Sequence, residues 1–143
     1  MQRLILLSNH LSANQTEQDQ SLLPVVNSSW AEVTINRPSK MNTFTVAMAQ
    51  RMQSLIKEWH HKKDIKVFIL KSADGPAFCA GGDLKQFTAP SDNPFQYYEE
   101  IDRTVYNLSI MRPTLISLID GVVMGTGVGV SYFGKIKIVT ENT

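Results

Sequence analysis

Apolar residues change their spacing along this chain, and the changes mark out its elements. Leu22–Val26 is a short apolar run interrupted by Pro24, which confines it to a sheet edge. Asn27-Ser28-Ser29 reads as a turn. After it Ala31-Glu32-Val33-Thr34-Ile35 alternates, with Val33 and Ile35 on one face and Trp30 just ahead, so the two runs predict a hairpin. Asn36-Arg37-Pro38 ends it. Asn42 or Thr43 is placed to cap a helix. Phe44, Met48, Met52, Leu55, Ile56 and Trp59 then recur at helical spacing, as far as His61.

Residues 66–71 form an apolar run too short for a helix and read as a buried strand. A loop and a glycine-rich stretch follow, and Leu84-Lys85-Gln86-Phe87 opens a helix candidate. Residues 89–94 are a polar loop. Residues 95–111 predict a second long helix with Tyr98, Ile101, Val105, Leu108 and Met111 on its apolar face, stopped by Arg112-Pro113. Residues 115–119 read as another buried strand, turned by Asp120-Gly121. A short helix over 128–133 and a last strand over 135–139 complete the pattern.

Composition narrows the class without naming a chemistry. A chain of 143 residues suits one domain. Its 43% hydrophobic and 19% charged residues are those of a globular protein. The net charge is +1, with no basic block longer than Lys62-Lys63, so there is no electrostatic footprint for nucleic acid. Cys79 is the single cysteine, which rules out an internal disulfide and fits an intracellular setting. No apolar run approaches the roughly 20 residues of a membrane span. Residues 1–20 read as a polar leader, either disordered or a weak organelle-targeting peptide, ahead of one domain over 21–143.

The candidate chemistry lies in glycine. All eight glycines fall at or after Gly75, and six sit in two stretches: Phe78-Cys79-Ala80-Gly81-Gly82-Asp83, and Asp120 through Gly129. Each stretch follows a strand candidate and precedes a helix candidate. Helix N-termini present N–H groups without intrahelical partners. Two such groups converging on one oxygen would make an oxyanion hole for an ester or thioester. The spacing equally suits two tight turns whose glycines serve packing. A dinucleotide fingerprint at Gly125-Thr126-Gly127-Val128-Gly129 fits poorly, because its third glycine would fall on Val130. Cys79 has no basic partner nearby in sequence, which favours a packed thiol over a nucleophile. His60-His61 has no further ligand at metal-binding spacing, so no metal site is expected.

Taken together, these pieces resemble the crotonase (enoyl-CoA hydratase/isomerase) superfamily, and within it the 3-hydroxyisobutyryl-CoA hydrolase-like branch. They are, in family order, Val33-Thr34-Ile35-Asn36-Arg37-Pro38, Met41-Asn42, Ala77 through Asp83, Glu99-Glu100, Arg112-Pro113, Ile119-Asp120-Gly121, Met124 through Ser131, and Val139 through Thr143. The resemblance implies an α/β fold, a spiral of β-β-α turns of which this chain carries the N-terminal part. It implies an acyl-CoA as substrate, with no separate cofactor. Carried over residue by residue, the Gly82 and Thr126 amides would form the oxyanion hole, and the Ala80 carbonyl would face the CoA adenine. Gly81, Asp83 and Gly125 would line the same substrate seat, and Glu100 matches a substrate-site carboxylate of the hydrolase branch. Gly129 stands where hydratases carry a catalytic glutamate, which argues for hydrolase over hydratase chemistry.

Two departures qualify that inheritance. Thr126 replaces the family's middle glycine, adding a β-branched side chain beside the proposed hole. The family's further carboxylates belong to a Met-Pro-Glu segment and a later aspartate, and Glu141 precedes the place of both. The expectation is therefore thioester hydrolysis of a short branched 3-hydroxyacyl-CoA, in valine breakdown, by the complete family protein, with this chain inactive alone. The alternatives are a non-catalytic acyl-CoA-binding or structural component of a larger assembly, or an enoyl-CoA hydratase/isomerase. The family's pathway suggests the mitochondrial matrix, with a bacterial cytoplasm as the alternative, and the full domain leaves room for a homo-oligomer.

Overall fold

A computed structural model describes residues 20–87 and 93–143. The leader expected over 1–20 lies outside the described residues except for Gln20, as does most of the polar loop over 89–94.

The hairpin forms as its alternation requires. Strands β1 (Leu22–Val26) and β2 (Trp30–Ile35) pair antiparallel from Leu22 opposite Ile35 to Val26 opposite Ala31. Ala31, Val33 and Ile35 are buried in β2, while β1 buries only Leu22, in keeping with its place at the edge. Strand β3 (Val67–Ser72) runs parallel to β2, β5 (Thr114–Ile119) parallel to β3, and β7 (Ile136–Val139) parallel to β5. Two very short strands, β4 (Ala77–Cys79) and β6 (Val122–Val123), make a separate parallel pair. The large sheet has the order β1-β2-β3-β5-β7. The chain thus repeats a unit: a strand in the large sheet, a strand in the small one, then a helix. The helices that close the two repeats are α2 (Pro94–Ile110) and α3 (Thr126–Tyr132). This is the β-β-α arrangement expected from the sequence.

Helix α1 (Val46–His61) begins later than expected, and its cap is a different residue. Thr45 Oγ1 accepts the Met48 N–H at 3.1 Å, so neither Asn42 nor Thr43 caps it. Asn42 is fully buried at φ 52°, and its side chain is committed elsewhere. It accepts the Arg37 N–H at 2.8 Å and donates to the Ala77 carbonyl at 2.7 Å. Phe44 lies ahead of the helix, bridged to Gly82. The face made by Met48, Ala49, Met52, Leu55, Ile56 and Trp59 is buried, and Trp59 tilts onto Phe68 with ring centroids 5.4 Å apart. Each large side chain buried this way stabilises the fold by about 1.5–3 kcal/mol.

Helix α2 buries Tyr97, Ile101, Thr104 and Leu108. Tyr98, assigned to that face from sequence, is 61% exposed. Thr104 explains the error: the true stripe contains a polar residue, whose hydroxyl donates to the Glu100 carbonyl at 2.8 Å and so is buried without loss. The helix stops before Arg112, and Arg112 ties it to the end of α1. Its N–H donates to His60 Nδ1 at 3.2 Å. Its guanidinium donates to the carbonyls of His60, Lys62, Lys63 and Ile65. Leu84–Phe87 is a single 3-10 turn and not the opening of an α-helix, because the Gln86 N–H bonds back three residues to the Asp83 carbonyl. Helix α3 begins two residues ahead of the expected 128, directly at Thr126.

Candidate functional site

The small sheet brings the two glycine stretches together. Pairing of Ala77 with Val122 and Cys79 with Val123 lays them side by side. The Met124 N–H then donates to the Cys79 carbonyl at 3.0 Å. Beyond that point the backbones stay close, with no room for a side chain at Gly127 and positive φ angles at Gly81 and Gly125. A Cβ on Gly127 would fall 2.3 Å from the Cys79 carbonyl oxygen. Gly81, at φ 108°, has the Met124 carbonyl oxygen 3.6 Å from its Cβ position, and the Cβ position of Gly125 lies 3.6 Å from Gly81 Cα.

A third segment, residues 41–44, fixes the first turn from its other side. The Ala80 N–H donates to the Met41 carbonyl at 3.0 Å, the Phe44 N–H to the Gly81 carbonyl at 2.8 Å, and the Asp83 N–H to the Phe44 carbonyl at 2.9 Å. Phe44 therefore bonds to the residues on either side of Gly82, and in such a parallel bridge the Gly82 N–H points away from Phe44. Among the described residues it has no acceptor. The Thr126 N–H, at the first position of α3, is likewise without an acceptor among them. Gly125 precedes it at φ 48°, ψ −117°, a backbone state suited to glycine.

Asp83 is held in place by an ion pair. Its Oδ2 lies 2.8 Å from Arg37 Nη2, with both side chains largely buried, and Arg37 Nη1 donates to the Thr43 carbonyl at 2.7 Å. Its role is to tie the end of β2 to the glycine turn. Ala80 is half-buried next to that turn. Glu100 is placed apart from it. It lines a cavity of about 600 Å³ between α1 and α2, shared with Gln50, Gln53, His60 and Arg103. Gln53 Nε2 donates to its carboxylate at 2.8 Å and Gln50 Nε2 at 3.3 Å. These bonds, Gln53 first, lower its pKa. The structure thus brings the turn Ala80–Asp83 against Gly125 and Thr126, and sets Glu100 on the groove between α1 and α2.

One residue of this site was missed from sequence. Tyr97, one turn before Glu100, points its hydroxyl between the two turns. Tyr97 Oη lies 2.6 Å from Thr126 Oγ1, and a Cβ on Gly82 would fall 2.4 Å from the same oxygen. Burial raises the phenol pKa, with a partial offset from the Thr126 bond. The Tyr97-Tyr98 pair was visible as a signal, but only the fold says which of the two faces inward. Cys79 is buried, and desolvation pushes its thiol up to about 11, so it stays protonated and packs as a small apolar group. Gly129 faces α2, where a Cβ would press Val105 Cγ2 at 3.3 Å. The site can offer two backbone N–H groups and two hydroxyls to an oxygen-bearing ligand. Among the described residues the two glycine stretches carry two carboxylates: Asp83, paired with Arg37, and Asp120, which accepts the Thr140 hydroxyl at the far end of its stretch.

Comparison with known proteins adds to this geometry. The sequence pattern described as enoyl-CoA hydratase/isomerase matches residues 30–143. The mitochondrial 3-hydroxyisobutyryl-CoA hydrolase of Bos taurus is 31% identical over 144 residues, covering 97% of this chain and 37% of its own length. The Rattus norvegicus protein of the same name is 29% identical, covering 100% and 38%. Among solved structures, a carnitinyl-CoA dehydratase from Mycobacterium thermoresistibile superposes with a TM-score of 0.80 at 26% identity, over 87% of this chain and 38% of that one. An enoyl-CoA hydratase from Rhodobacter sphaeroides gives 0.76 at 25% identity, over 85% and 38%. The chain therefore spans well under half the length of the relatives it matches. Among the described residues, no helix is long and apolar enough to cross a membrane.

Proposed function

This chain belongs to the enoyl-CoA hydratase/isomerase family, and on that premise we propose that it is a 3-hydroxyisobutyryl-CoA hydrolase-like protein whose glycine turns seat an acyl-CoA thioester. The observation that carries the reading is the pair of unengaged amides, Gly82 and Thr126, on turns in backbone contact. The thioester carbonyl oxygen accepts a hydrogen bond from each. As a nucleophile adds to the carbonyl carbon, the π electrons move onto that oxygen, and both bonds strengthen with the growing negative charge. Collapse of the adduct then expels CoA as thiolate. The Ala80 carbonyl faces the adenine, and Gly81, Gly125 and the Arg37–Asp83 pair hold the turns in register. Glu100 meets the substrate from the groove between α1 and α2.

Activating the attacking water needs a carboxylate that neither turn supplies. Asp83 is paired with Arg37, Asp120 is bonded to the Thr140 hydroxyl and the Asn142 amide, and Gly129 has no side chain. Hydrolysis of a short branched 3-hydroxyacyl-CoA, the step belonging to valine breakdown, is therefore the activity of a complete family protein. The residues described here bind and polarise the thioester. The mitochondrial names of the relatives support the mitochondrial matrix as its compartment.

The test removes one amide and keeps the helix. Proline is tolerated at the first helical position and has no N–H. Thr126→Pro should weaken acyl-CoA binding at least tenfold relative to Thr126→Ala, which keeps the amide, as read by isothermal titration of the full chain. Equal affinities in the two variants would remove the oxyanion hole from the account. The unaltered chain should bind acyl-CoA without releasing thiol to Ellman's reagent; steady release would show that it holds its own base.

A further inference from the structure

The proposed function uses the Thr126 amide but leaves its hydroxyl, and Tyr97, without a task. The two hydroxyl oxygens are 2.6 Å apart. Tyr97 is 4% exposed, and its Oη and Cζ lie 2.4 and 2.8 Å from where a Gly82 Cβ would stand. A phenol from α2 thus fills the space that a side chain at Gly82 would take, and meets the Thr126 hydroxyl across it. Resting on the acyl-CoA reading, we propose that the Tyr97–Thr126 hydroxyl pair is a specificity-determining wall of the acyl site, selecting a hydroxyl-bearing acyl group over its deoxy counterpart of the same length.

The argument is one of hydrogen-bond capacity. Two hydroxyls carry two protons and four lone pairs, and their mutual bond uses one of each. If Thr126 donates, its oxygen keeps both lone pairs; if it accepts, it keeps a proton and a lone pair. In either case Oγ1 retains capacity, on a half-buried residue whose own amide would hold the thioester oxygen. Tyr97 fixes where that oxygen stands, and the β-branch limits the rotamers open to it. An acyl hydroxyl placed there completes the set. An alkyl group of the same length displaces water from Oγ1 and gives nothing back, which is the costly case for a polar atom. Sites that bond a substrate hydroxyl discriminate against the analogue that lacks it far better than apolar pockets discriminate by size.

The probes are 3-hydroxybutyryl-CoA and butyryl-CoA, which differ by one oxygen, titrated into the full chain with free CoA as reference. The unaltered protein should favour the hydroxylated ligand about tenfold. Thr126→Val, which keeps the shape and loses the hydroxyl, should bring that ratio close to one, while Thr126→Ser should keep it. Tyr97→Phe should lower the ratio by freeing the Thr126 rotamer, with circular dichroism confirming the fold. A ratio near one in the unaltered chain overturns the inference with no variant needed, as does a ratio that survives Thr126→Val. If both acyl-CoAs bind more tightly than CoA but equally well, the thioester seat stands and this wall falls. If neither binds better than CoA, both are lost.

Discussion

Asn42 offers the most direct check on how the first glycine turn is held. It is fully buried and left-handed, and its two shorter bonds reach backbone groups far apart in sequence, the Arg37 N–H and the Ala77 carbonyl, beside a longer one to the Ala73 carbonyl. Asn42→Ala deletes these bonds. Leaving a buried polar group unsatisfied costs about 1–3 kcal/mol, and the Ala77 carbonyl is the deeper of the two. An alanine at φ 52° adds about 1 kcal/mol of backbone strain that asparagine largely avoids. The total is about 2–4 kcal/mol, a large share of the roughly 5–15 kcal/mol that stabilises a domain. Asn42→Gly loses the same bonds without the strain, so it should be about 1 kcal/mol less damaging. Urea unfolding followed by fluorescence reads the difference, since Trp59 is fully buried in the core. A loss below about 1 kcal/mol for the alanine variant, or a glycine variant no better than alanine, would refute this account of the turn.

Other positions give independent checks. Gly127→Ala sets a Cβ against the Cys79 carbonyl. It should cost about 1–3 kcal/mol by overpacking and weaken acyl-CoA binding by moving α3 away from β4; unchanged melting and binding would contradict the close approach. Cys79, with its pKa near 11, should be silent to Ellman's reagent at pH 8 in the folded chain and give one equivalent in urea; rapid reaction without denaturant would place it at the surface. Glu100 has a lowered pKa, so its contribution to stability is complete above the ordinary value of 4.5 and is lost as pH falls through the lowered one. Gln53→Ala should flatten that acid limb by less than about 1 kcal/mol, because the carboxylate is partly exposed; an identical pH profile would show that the Gln53 bond does not bias the titration.

The parts of the fold that sequence exposes are those with a long enough period. The β2 alternation and the α1 stripe run for several repeats, and both were legible. Strands β4 and β6 contain three and two residues, too few to show a period, so the small sheet that joins the glycine stretches had no signal of its own. In α2 a buried threonine breaks the apolar stripe, so the pattern points to Tyr98 where the inward tyrosine is Tyr97. Phe44 fell at helical spacing by coincidence, because the chain reaches α1 through a bridge to Gly82. Arg37 and Asp83 are 46 residues apart, and local patterning has no reach over that distance. The glycines themselves were legible as tight turns. Their convergence was not, since it depends on which strands pair, and the first turn leads into a 3-10 turn rather than the expected helix.

Arg112 bears on how such chains should be engineered. Its guanidinium gathers four carbonyls at the end of α1 and the entry to β3. In a mutagenesis library aimed at new acyl selectivity, randomising this position would loosen the junction of α1 and β3, and lysine would be no equivalent replacement, because a single ammonium cannot fork to so many acceptors. Diversity belongs at Tyr97, Thr126 and the Glu100 groove, with Arg112-Pro113 held constant as the frame on which those choices are screened.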